Sequence, residues 1–178
     1  MRSTARPYAD ALYAVAMQEG SAEPTLSGLE QVGRILREIP EVKLLLLQPE
    51  VDHAAAEGVL QTISDGCSPL VGRFVRLLFA RRRMAILPEV TLAYRDQLDR
   101  HQGVVRGRLE SARPVPPEVQ RQVAEALGHR TGKRVILNAG EEPGLIGGLR
   151  VILEDRVLDV TVAGRLRGLR RQLRAALV

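Results

Sequence analysis

The spacing of apolar residues changes near Gly103, and this change constrains the fold more than any other feature of the sequence. Before Gly103, apolar residues recur every three or four positions in successive short segments, which is the period of helices that bury one face. After it, residues 105–110 alternate between apolar or small and charged side chains, which is the period of a strand. The sequence therefore predicts an α+β fold, with a six-helix bundle over residues 1–102 and a small α/β domain over residues 103–178.

Proline, glycine and small polar residues mark the breaks between the helical segments. Gly20 is placed to end the first helix, and Pro40 and Pro49 bound the third. Ser68 followed by Pro69 is a cap and a first-turn proline, so the fifth helix is expected to begin there. The six predicted helices cover, in order, residues 5–19, 26–39, 41–47, 52–63, 69–79 and 88–100.

The C-terminal part is predicted to combine short strands with one internal and one terminal helix. The internal helix covers residues 118–127, and a tight turn at residues 154–155 joins two of the strands into a hairpin. Thr161 is placed to cap the terminal helix, which has a heptad-like apolar seam and an arginine-rich outer face. Solvent, nucleic acid, anionic lipid and an acidic protein all remain open as contacts of that face. The further predicted strands lie at residues 134–137, 149–153 and 157–160.

The charge of the chain is unevenly distributed. Residues 1–102 carry a net charge of −1, and residues 103–178 carry one of +6. This basic balance suits nucleic acid, but the chain has only three tyrosines, two phenylalanines and no tryptophan to serve as stacking platforms. A nucleic-acid-binding module that acts through the terminal helix therefore stands as a second hypothesis, below a protein-binding role.

Membrane insertion and disulfide bonding are both disfavoured by the sequence. No apolar run approaches the roughly 18 residues that a spanning helix needs, and the N-terminal residues lack the apolar stretch of a secretory signal. The single cysteine, Cys67, excludes a disulfide framework and a cysteine-based metal site within one chain.

The segment 128–134 has some similarity to a phosphate-binding loop. It has three residues instead of four between Gly128 and Gly132, and arginine follows the lysine where the loop needs Ser or Thr to bind magnesium. The segment is therefore interpreted as a helix end and a turn into a strand. The three histidines are far apart and have no zinc-binding spacing. The sequence predicts no catalytic residue, no metal and no cofactor, so an enzyme is the third and weakest hypothesis.

The fifth predicted helix is apolar on more than one face. Such a helix is either central in a bundle or presents a second face to an amphipathic partner helix, and both can hold at once. The first helix has a milder surplus: Tyr8, Leu12 and Val15 are expected to point inward, with the small Ala11 and Ala14 beside them. Residues 81–83, all arginine, suit the helix C-terminal dipole or an acidic partner. The apolar positions of the fifth helix are Leu70, Val71, Phe74, Val75, Leu77, Leu78 and Phe79.

An ordered set of short motifs along the whole chain resembles one known family. Each motif is weak alone, and the set is specific because all of its members occur in the right order. The family is that of the delta subunit of the rotary ATP synthase, the counterpart of the mitochondrial oligomycin-sensitivity-conferring protein. The motifs are ARPYA at 5–9, FVRLL at 74–78, RMAILP at 83–88, RTGK at 130–133, LIGG at 145–148, VLD at 157–159 and GRL at 164–166.

The sequence departs from the family pattern in two places. The family often has Glu-Asn-Gly-Arg after the fifth helix, whereas residues 80–83 here read Ala-Arg-Arg-Arg. Its usual Asp-Gly-Ser before the last helix is Asp-Val-Thr at 159–161, and the arginine two residues later is Ala163. Thr161 still supplies a capping hydroxyl. These changes affect details of contact and leave the resemblance intact.

The resemblance implies a non-catalytic subunit of the proton-translocating ATP synthase, which joins the catalytic head to the peripheral stalk so that the head is held against rotor torque. Residues 1–102 would bind the N-terminal helix of an alpha subunit in the head of alpha and beta subunits, and residues 103–178 would bind the stalk b subunits. The chain would bind no nucleic acid. It would lie on the cytoplasmic side of the bacterial inner membrane as a peripheral protein, attached through the complex.

The resemblance also carries two sets of candidate site residues onto this sequence. In the C-terminal set, the glycines are expected to allow close approach and Asp159 to form the turn into the last helix. The arginine face of that helix is expected to meet the stalk. The candidates for the alpha-subunit helix groove are Tyr8, Ala11, Leu12, Arg73, Leu77 and Leu78. The candidates in the C-terminal motif and on the stalk side are Gly147, Gly148, Asp159, Gly164 and Arg165.

Overall fold

The computed structural model describes residues 4–48, 53–153, 156–162 and 164 of the 178-residue chain. The chain divides into two compact units, Met1–Asp99 and Arg100–Val178. In its described part the fold is a mixed, helix-rich one with a single four-stranded sheet, so the predicted α+β class is confirmed at this level.

The first unit is built from helices that share one apolar core. Five of these helices bury residues spaced three or four positions apart, as the sequence predicts, whereas the short helix Pro40–Leu47 buries Leu46 alone. A short 3-10 turn at Met84–Ile86 precedes the last helix. The last helix ends two residues beyond the unit boundary. The helices are α1 Arg6–Gln18, α2 Ala22–Glu38, α3 Pro40–Leu47, α4 His53–Asp65, α5 Pro69–Ala80 and α6 Leu87–His101.

Helix α5 contributes most to this core. Five of its apolar side chains are buried, and it begins where the sequence predicts, because the Ser68 hydroxyl accepts a hydrogen bond from the Val71 N–H at 3.4 Å. The sequence predicts that Ala55 of the fourth helix points inward and that Asp52 caps this helix. In the structure Ala56 is buried and Ala55 is exposed, and Asp52 lies outside the described residues.

Tyr94 of α6 is fully buried in the core. Its hydroxyl donates a hydrogen bond to the Ala22 carbonyl at 3.0 Å, and its ring meets that of Tyr13 edge to face at 5.4 Å. Burial raises the pKa of Tyr94 to about 12, because the phenolate would lose its hydration in the core. The fold therefore favours the neutral phenol.

Alkaline pH is expected to destabilise the first unit through Tyr94. The neutral phenol contributes stability that is fully present below the ordinary pKa of 10.0 and is lost as the pH rises through the folded pKa of about 12. The loss in the free energy of unfolding at pH 12 is about 2 kcal/mol. Urea unfolding at pH 10 and pH 12 should show this loss in the unaltered chain and a smaller one in Tyr94→Phe. An equal loss in both proteins would contradict the assignment.

The helices α1 and α5 end in the same hydrogen-bond pattern with different residues at the left-handed position. At the end of α1, Gly20 has a φ of +64°, and the Ser21 N–H donates to the Ala16 carbonyl at 2.8 Å. At the end of α5, Arg82 takes this position with a φ of 54°, and the Arg83 N–H donates to the Leu78 carbonyl at 2.8 Å. Arg82 has a Cβ, which makes the left-handed backbone costly at this position.

Replacing Arg82 with glycine is expected to raise the free energy of unfolding by about 1 kcal/mol, because glycine adopts a positive φ without a steric cost. The matched variant, Gly20→Ala, is expected to lower it by a similar amount. Thermal unfolding followed by circular dichroism measures both shifts. A loss of stability in Arg82→Gly would show that the arginine side chain contributes more than its backbone costs.

The second unit is a four-stranded sheet with one described helix. The strand order is β2-β1-β3-β4, with β1 parallel to β2 and antiparallel to β3, and with β3 antiparallel to β4. The pairing of β3 with β4 confirms the predicted hairpin, whose turn at residues 154–155 lies outside the described residues. The elements are β1 Val104–Ser111, α7 Pro117–Thr131, β2 Arg134–Glu141, β3 Leu149–Leu153 and β4 Arg156–Asp159, with a 3-10 turn at Pro143–Leu145.

One face of this sheet forms the core of the second unit. Leu109, Leu137 and Val151 are buried there together with Leu127 of α7. Glu110 lies on the opposite face of the sheet, on the same side of β1 as the exposed arginines of that strand. Unlike those arginines, Glu110 is buried. The reason is the register: Arg150 of β3 lies directly opposite Glu110, and the two side chains form an ion pair at 2.6 Å. The partner strand therefore covers a carboxylate that the sequence alone places in solvent.

The predicted terminal helix, with its apolar seam and arginine face, falls beyond the described residues except for Val162 and Gly164. In the described part of the chain, no helix has both the length and the apolar character that a membrane crossing requires.

Candidate functional site

An apolar groove of about 450 Å³ runs between α1 and α5. It forms because each helix has apolar residues beyond those that it buries in the core. Leu77 of α5 is 45% exposed and Val15 of α1 is 39% exposed, and both belong to one continuous apolar lining. The lining residues are Pro7, Tyr8, Ala11, Leu12, Val15, Leu70, Arg73, Phe74 and Leu77.

The structure brings five of the six predicted groove residues together in the lining. The sixth, Leu78, is fully buried in the core and does not line the groove. It follows Leu77 by one position, and one residue turns a helix by about 100°, so the two side chains point to different sides. The expectation that Leu78 faces the groove is therefore corrected.

Sequence reasoning did not assign four of the lining residues to the groove. The helical spacing grouped Val15 with the buried face of α1, but the buried face follows Ala9, Leu12 and Ala16, and Val15 lies at its edge. The signal that could have found it is the three- to four-residue spacing of Tyr8, Leu12 and Val15 beside the small Ala11. The other three unassigned lining residues are Pro7, Leu70 and Phe74.

Arginine side chains lie at both ends of the groove. At one end, the Arg73 guanidinium forms an exposed ion pair with Glu19, with Nη2 and Oε1 3.2 Å apart. At the other end, Arg83 Nη1 donates a hydrogen bond to the Tyr8 hydroxyl at 3.1 Å, and Arg83 Cζ lies 5.7 Å from the centre of the Tyr8 ring. These contacts pair the start of α1 with the end of α5, so the two groove helices run antiparallel.

The C-terminal motif residues lie close together in the second unit. Gly148 has a φ of +85°, and a Cβ placed on it would lie 2.6 Å from the Val160 carbonyl oxygen. The Gly147 carbonyl accepts a hydrogen bond from the Val162 N–H at 3.0 Å. Gly148 therefore lets the loop before β3 pass directly against the segment after β4, whereas a Cβ on Gly147 would make only an ordinary contact with Val162 at 3.6 Å.

Asp159 and Thr161 form a hydrogen-bonded turn after β4. Asp159 Oδ1 accepts from the Thr161 N–H at 3.0 Å and from the Thr161 hydroxyl at 2.6 Å. The Thr161 hydroxyl in turn accepts from the Gly164 N–H at 2.9 Å, three residues on, which is the geometry of a helix N-cap. A Cβ on Gly164 would lie 2.6 Å from Asp159 Oδ1. Arg165, the fifth candidate of this motif, lies outside the described residues.

The segment at 128–134 has the structure that its spacing predicts. Helix α7 ends at Thr131, Gly132 takes a φ of +67°, and β2 begins at Arg134. Across the described part of the chain, no group of three or more His, Cys, Asp or Glu side chains is placed to hold a metal ion. An apolar groove with charged ends is typical of a subunit that binds another protein through a helix.

Comparisons with known proteins identify the family. The family described as "ATP synthase delta (OSCP) subunit" matches residues 4–173, and the chain belongs to it. ATP synthase subunit delta of Carboxydothermus hydrogenoformans is 29% identical over 171 residues, which cover 96% of this chain and 97% of that relative. ATP synthase subunit delta 1 of Syntrophotalea carbinolica is 34% identical over 171 residues, which cover 94% of this chain and 96% of that relative.

A solved structure has the same fold over nearly the whole chain. It is a chain of the cryo-EM structure of the Toxoplasma gondii mitochondrial ATP synthase hexamer, with a TM-score of 0.72, 26% identity, and coverage of 97% of this chain and 98% of that chain. The resemblance in the motifs is thereby confirmed. The chain is a non-catalytic structural subunit of ATP synthase, as predicted.

Proposed function

We propose that the chain is a peripheral-stalk linker, which joins the catalytic head of a proton-translocating ATP synthase to its stalk. In this proposal residues 1–102, with α1–α6 as a six-helix bundle, bind the N-terminal helix of an alpha subunit, and residues 103–178 bind the stalk b subunits. The apolar groove between α1 and α5 is the observation that carries the proposal. The linker needs no catalytic residue, because its task is to resist displacement.

The dimensions of the groove suit one amphipathic helix. Tyr8 and Val15 lie seven residues apart on α1, which is roughly 10 Å along its axis, or two helical turns. Apolar residues at i, i+3 or i+4, and i+7 of a partner helix would meet the apolar lining over this length. Leu77 lies on the facing wall, and its exposed side chain is available to contact the partner helix.

A linker that works under torque needs a slow dissociation rate. Burying an apolar helix in a groove mainly lowers the rate of dissociation, while association stays within an ordinary range. The ion pair of Arg73 with Glu19 lies at the rim, where charges affect association and salt dependence more than the final affinity. The apolar lining is therefore the main source of the proposed affinity.

The second unit supports the stalk side of the proposal through its charge and its exposed apolar residues. Residues 103–178 carry a net charge of +6, which suits an acidic partner. Ile146, Val160 and Val162 are 69%, 59% and 45% exposed, and the loop that carries Ile146 is hydrogen-bonded to the segment that carries Val162. In this proposal these exposed apolar residues contribute to the surface that a stalk helix would contact.

The proposed attachment makes the chain peripheral to the membrane, on the cytoplasmic side of the bacterial inner membrane. The delta subunits to which it is similar include those of Carboxydothermus hydrogenoformans and Syntrophotalea carbinolica. Membrane association would come through the complex as a whole.

A pull-down of the tagged chain from detergent-washed membranes at moderate salt tests the proposal. We expect alpha, beta and b subunits to be recovered in fixed proportion with one copy of the chain. Recovery of nucleic acid instead, with a steep salt dependence, would favour a nucleic-acid-binding module that acts through the basic C-terminal part. Recovery of no partner would contradict the linker role.

A further inference from the structure

Arg83 contacts Tyr8 at one end of the groove and lies outside the groove lining itself. Its guanidinium both stacks near the Tyr8 ring, at 5.7 Å from the centroid, and donates to the Tyr8 hydroxyl at 3.1 Å. Tyr8 is half-buried and forms part of the groove wall. We propose that Arg83 is a positioning residue, which acts on helix binding by fixing the orientation of the Tyr8 ring. This inference rests on the proposed function of the groove.

The backbone of Arg83 is itself fixed. Its N–H bonds to the Leu78 carbonyl at 2.8 Å, and the N–H of Arg82 bonds to the Phe79 carbonyl at 2.8 Å, so the end of α5 holds Arg83 in one place. From this fixed backbone, the planar guanidinium can contact the Tyr8 ring face and donate a hydrogen bond to the Tyr8 hydroxyl at the same time. An ammonium group cannot make both contacts with the same geometry.

The orientation of the Tyr8 ring depends on its contact with Arg83, whereas the rings of the other two tyrosines are held by packing in the core. Tyr94 is fixed by complete burial, and Tyr13 packs against it edge to face. Among the residues that the structure describes, the Tyr8 hydroxyl has Arg83 as its one hydrogen-bond partner. Without that contact, the half-buried ring would sample other rotamers and would no longer present one wall to a partner helix.

The arginine at the opposite end of the groove differs. Arg73 is paired with Glu19 at 3.2 Å, whereas no described carboxylate lies within ion-pair distance of Arg83. Arg83 could therefore act on a partner directly through its charge, and the experiment must separate this from action through Tyr8. The two routes differ in whether the effect of Arg83 survives the loss of the Tyr8 ring.

A double-mutant cycle on the full chain makes this separation. The probe is a synthetic peptide of about 20 residues from the N-terminus of the alpha subunit of the same organism, which is long enough to span the groove as a helix. Its dissociation constant is measured by titration calorimetry. We expect Arg83→Met to raise it roughly tenfold in the unaltered background and less than about twofold in the Tyr8→Leu background. Arg83→Lys should restore less than half of the loss.

Tyrosine ring signals provide a readout that does not require the peptide. With ¹³C-labelled tyrosine, the chain gives signals from three residues, and Tyr8→Phe identifies the one from Tyr8. Arg83→Met should shift and narrow the Tyr8 signal and leave the Tyr13 and Tyr94 signals unchanged. The matched control is Arg81→Met, which removes the same charge two positions away, and it should change neither the signals nor the peptide affinity.

Two results would overturn the proposal. One is an effect of Arg83→Met that is equal in both backgrounds and fully rescued by lysine, because this would show direct action of the charge. The other is a Tyr8 signal that does not respond to Arg83→Met. Failure of the proposed function has a different signature: the unaltered chain would not bind the peptide, while the Tyr8 signal would still respond to Arg83→Met.

Discussion

Replacing Leu77 with aspartate is expected to weaken the proposed binding of the alpha-subunit N-terminal helix by more than about 2 kcal/mol. The partner helix would remove the carboxylate from water in an apolar lining, where the Arg73 guanidinium is already paired with Glu19. Folding should change little. Leu77 is 45% exposed before binding, so the aspartate remains hydrated in the free chain. The substitution therefore lowers the magnitude of the free energy of binding and leaves the free energy of unfolding nearly unchanged.

Titration of the full-length variant with the synthetic helix measures this loss. The matched control is Leu92→Asp, which makes the same change at a leucine of α6 that is 56% exposed and absent from the groove lining. The control should bind as the unaltered chain does. Unchanged affinity of a folded Leu77→Asp variant would remove the groove from the proposed function.

Replacing Gly148 with alanine is expected to lower the stability of the second unit by about 3 kcal/mol. Two effects add at this position. The φ of +85° disfavours any residue with a Cβ, and that Cβ would lie 2.6 Å from the Val160 carbonyl oxygen and 2.8 Å from Thr161 Cα. Both neighbours are backbone atoms, so the clash cannot be relieved by a side-chain rotation.

Urea unfolding, followed by hydrogen exchange of the amides in β3 and β4, locates the effect. Gly140→Ala is the matched control, because a Cβ on Gly140 has no neighbour within 4 Å and the residue has no positive φ. That variant should be nearly as stable as the unaltered chain. If Gly148→Ala were as stable as the unaltered chain, the loop before β3 would have to be able to move away from the segment after β4.

Local signals in the sequence predicted the start of α5, because the Ser68 cap acts through a hydrogen bond within one turn. Helix α2 begins four residues before its predicted start, and α7 ends at Thr131, next to Gly132, four residues beyond its predicted end. The extent of β2 was not predictable in the same way. The pattern predicted residues 134–137, but β2 continues to Glu141, because β1 pairs with it over all eight residues. Pairing between distant segments overrides weak local preference.

The candidate groove could be predicted as a pair of helices, but its lining could not be predicted residue by residue. The surplus of apolar residues on α5 indicated a second apolar face, and Leu77 lies on it. The same surplus could not separate Leu77 from Leu78, because that depends on how α5 is rotated against the core. The contact of Arg83 with Tyr8 could not be predicted from local sequence patterns either, because the two residues are 75 positions apart.

The position of the groove along the chain has a consequence for assembly. All of the residues that line it fall between Pro7 and Leu77, and the core that supports them is complete within the unit that ends at Asp99. The strands of the sheet come later in the sequence. Domains fold as units from the N-terminus during synthesis, so the groove proposed to bind one partner can form before the ribosome has made the unit proposed to bind the other. Under the proposed function, the direction of translation would therefore let the head partner bind before the stalk partner.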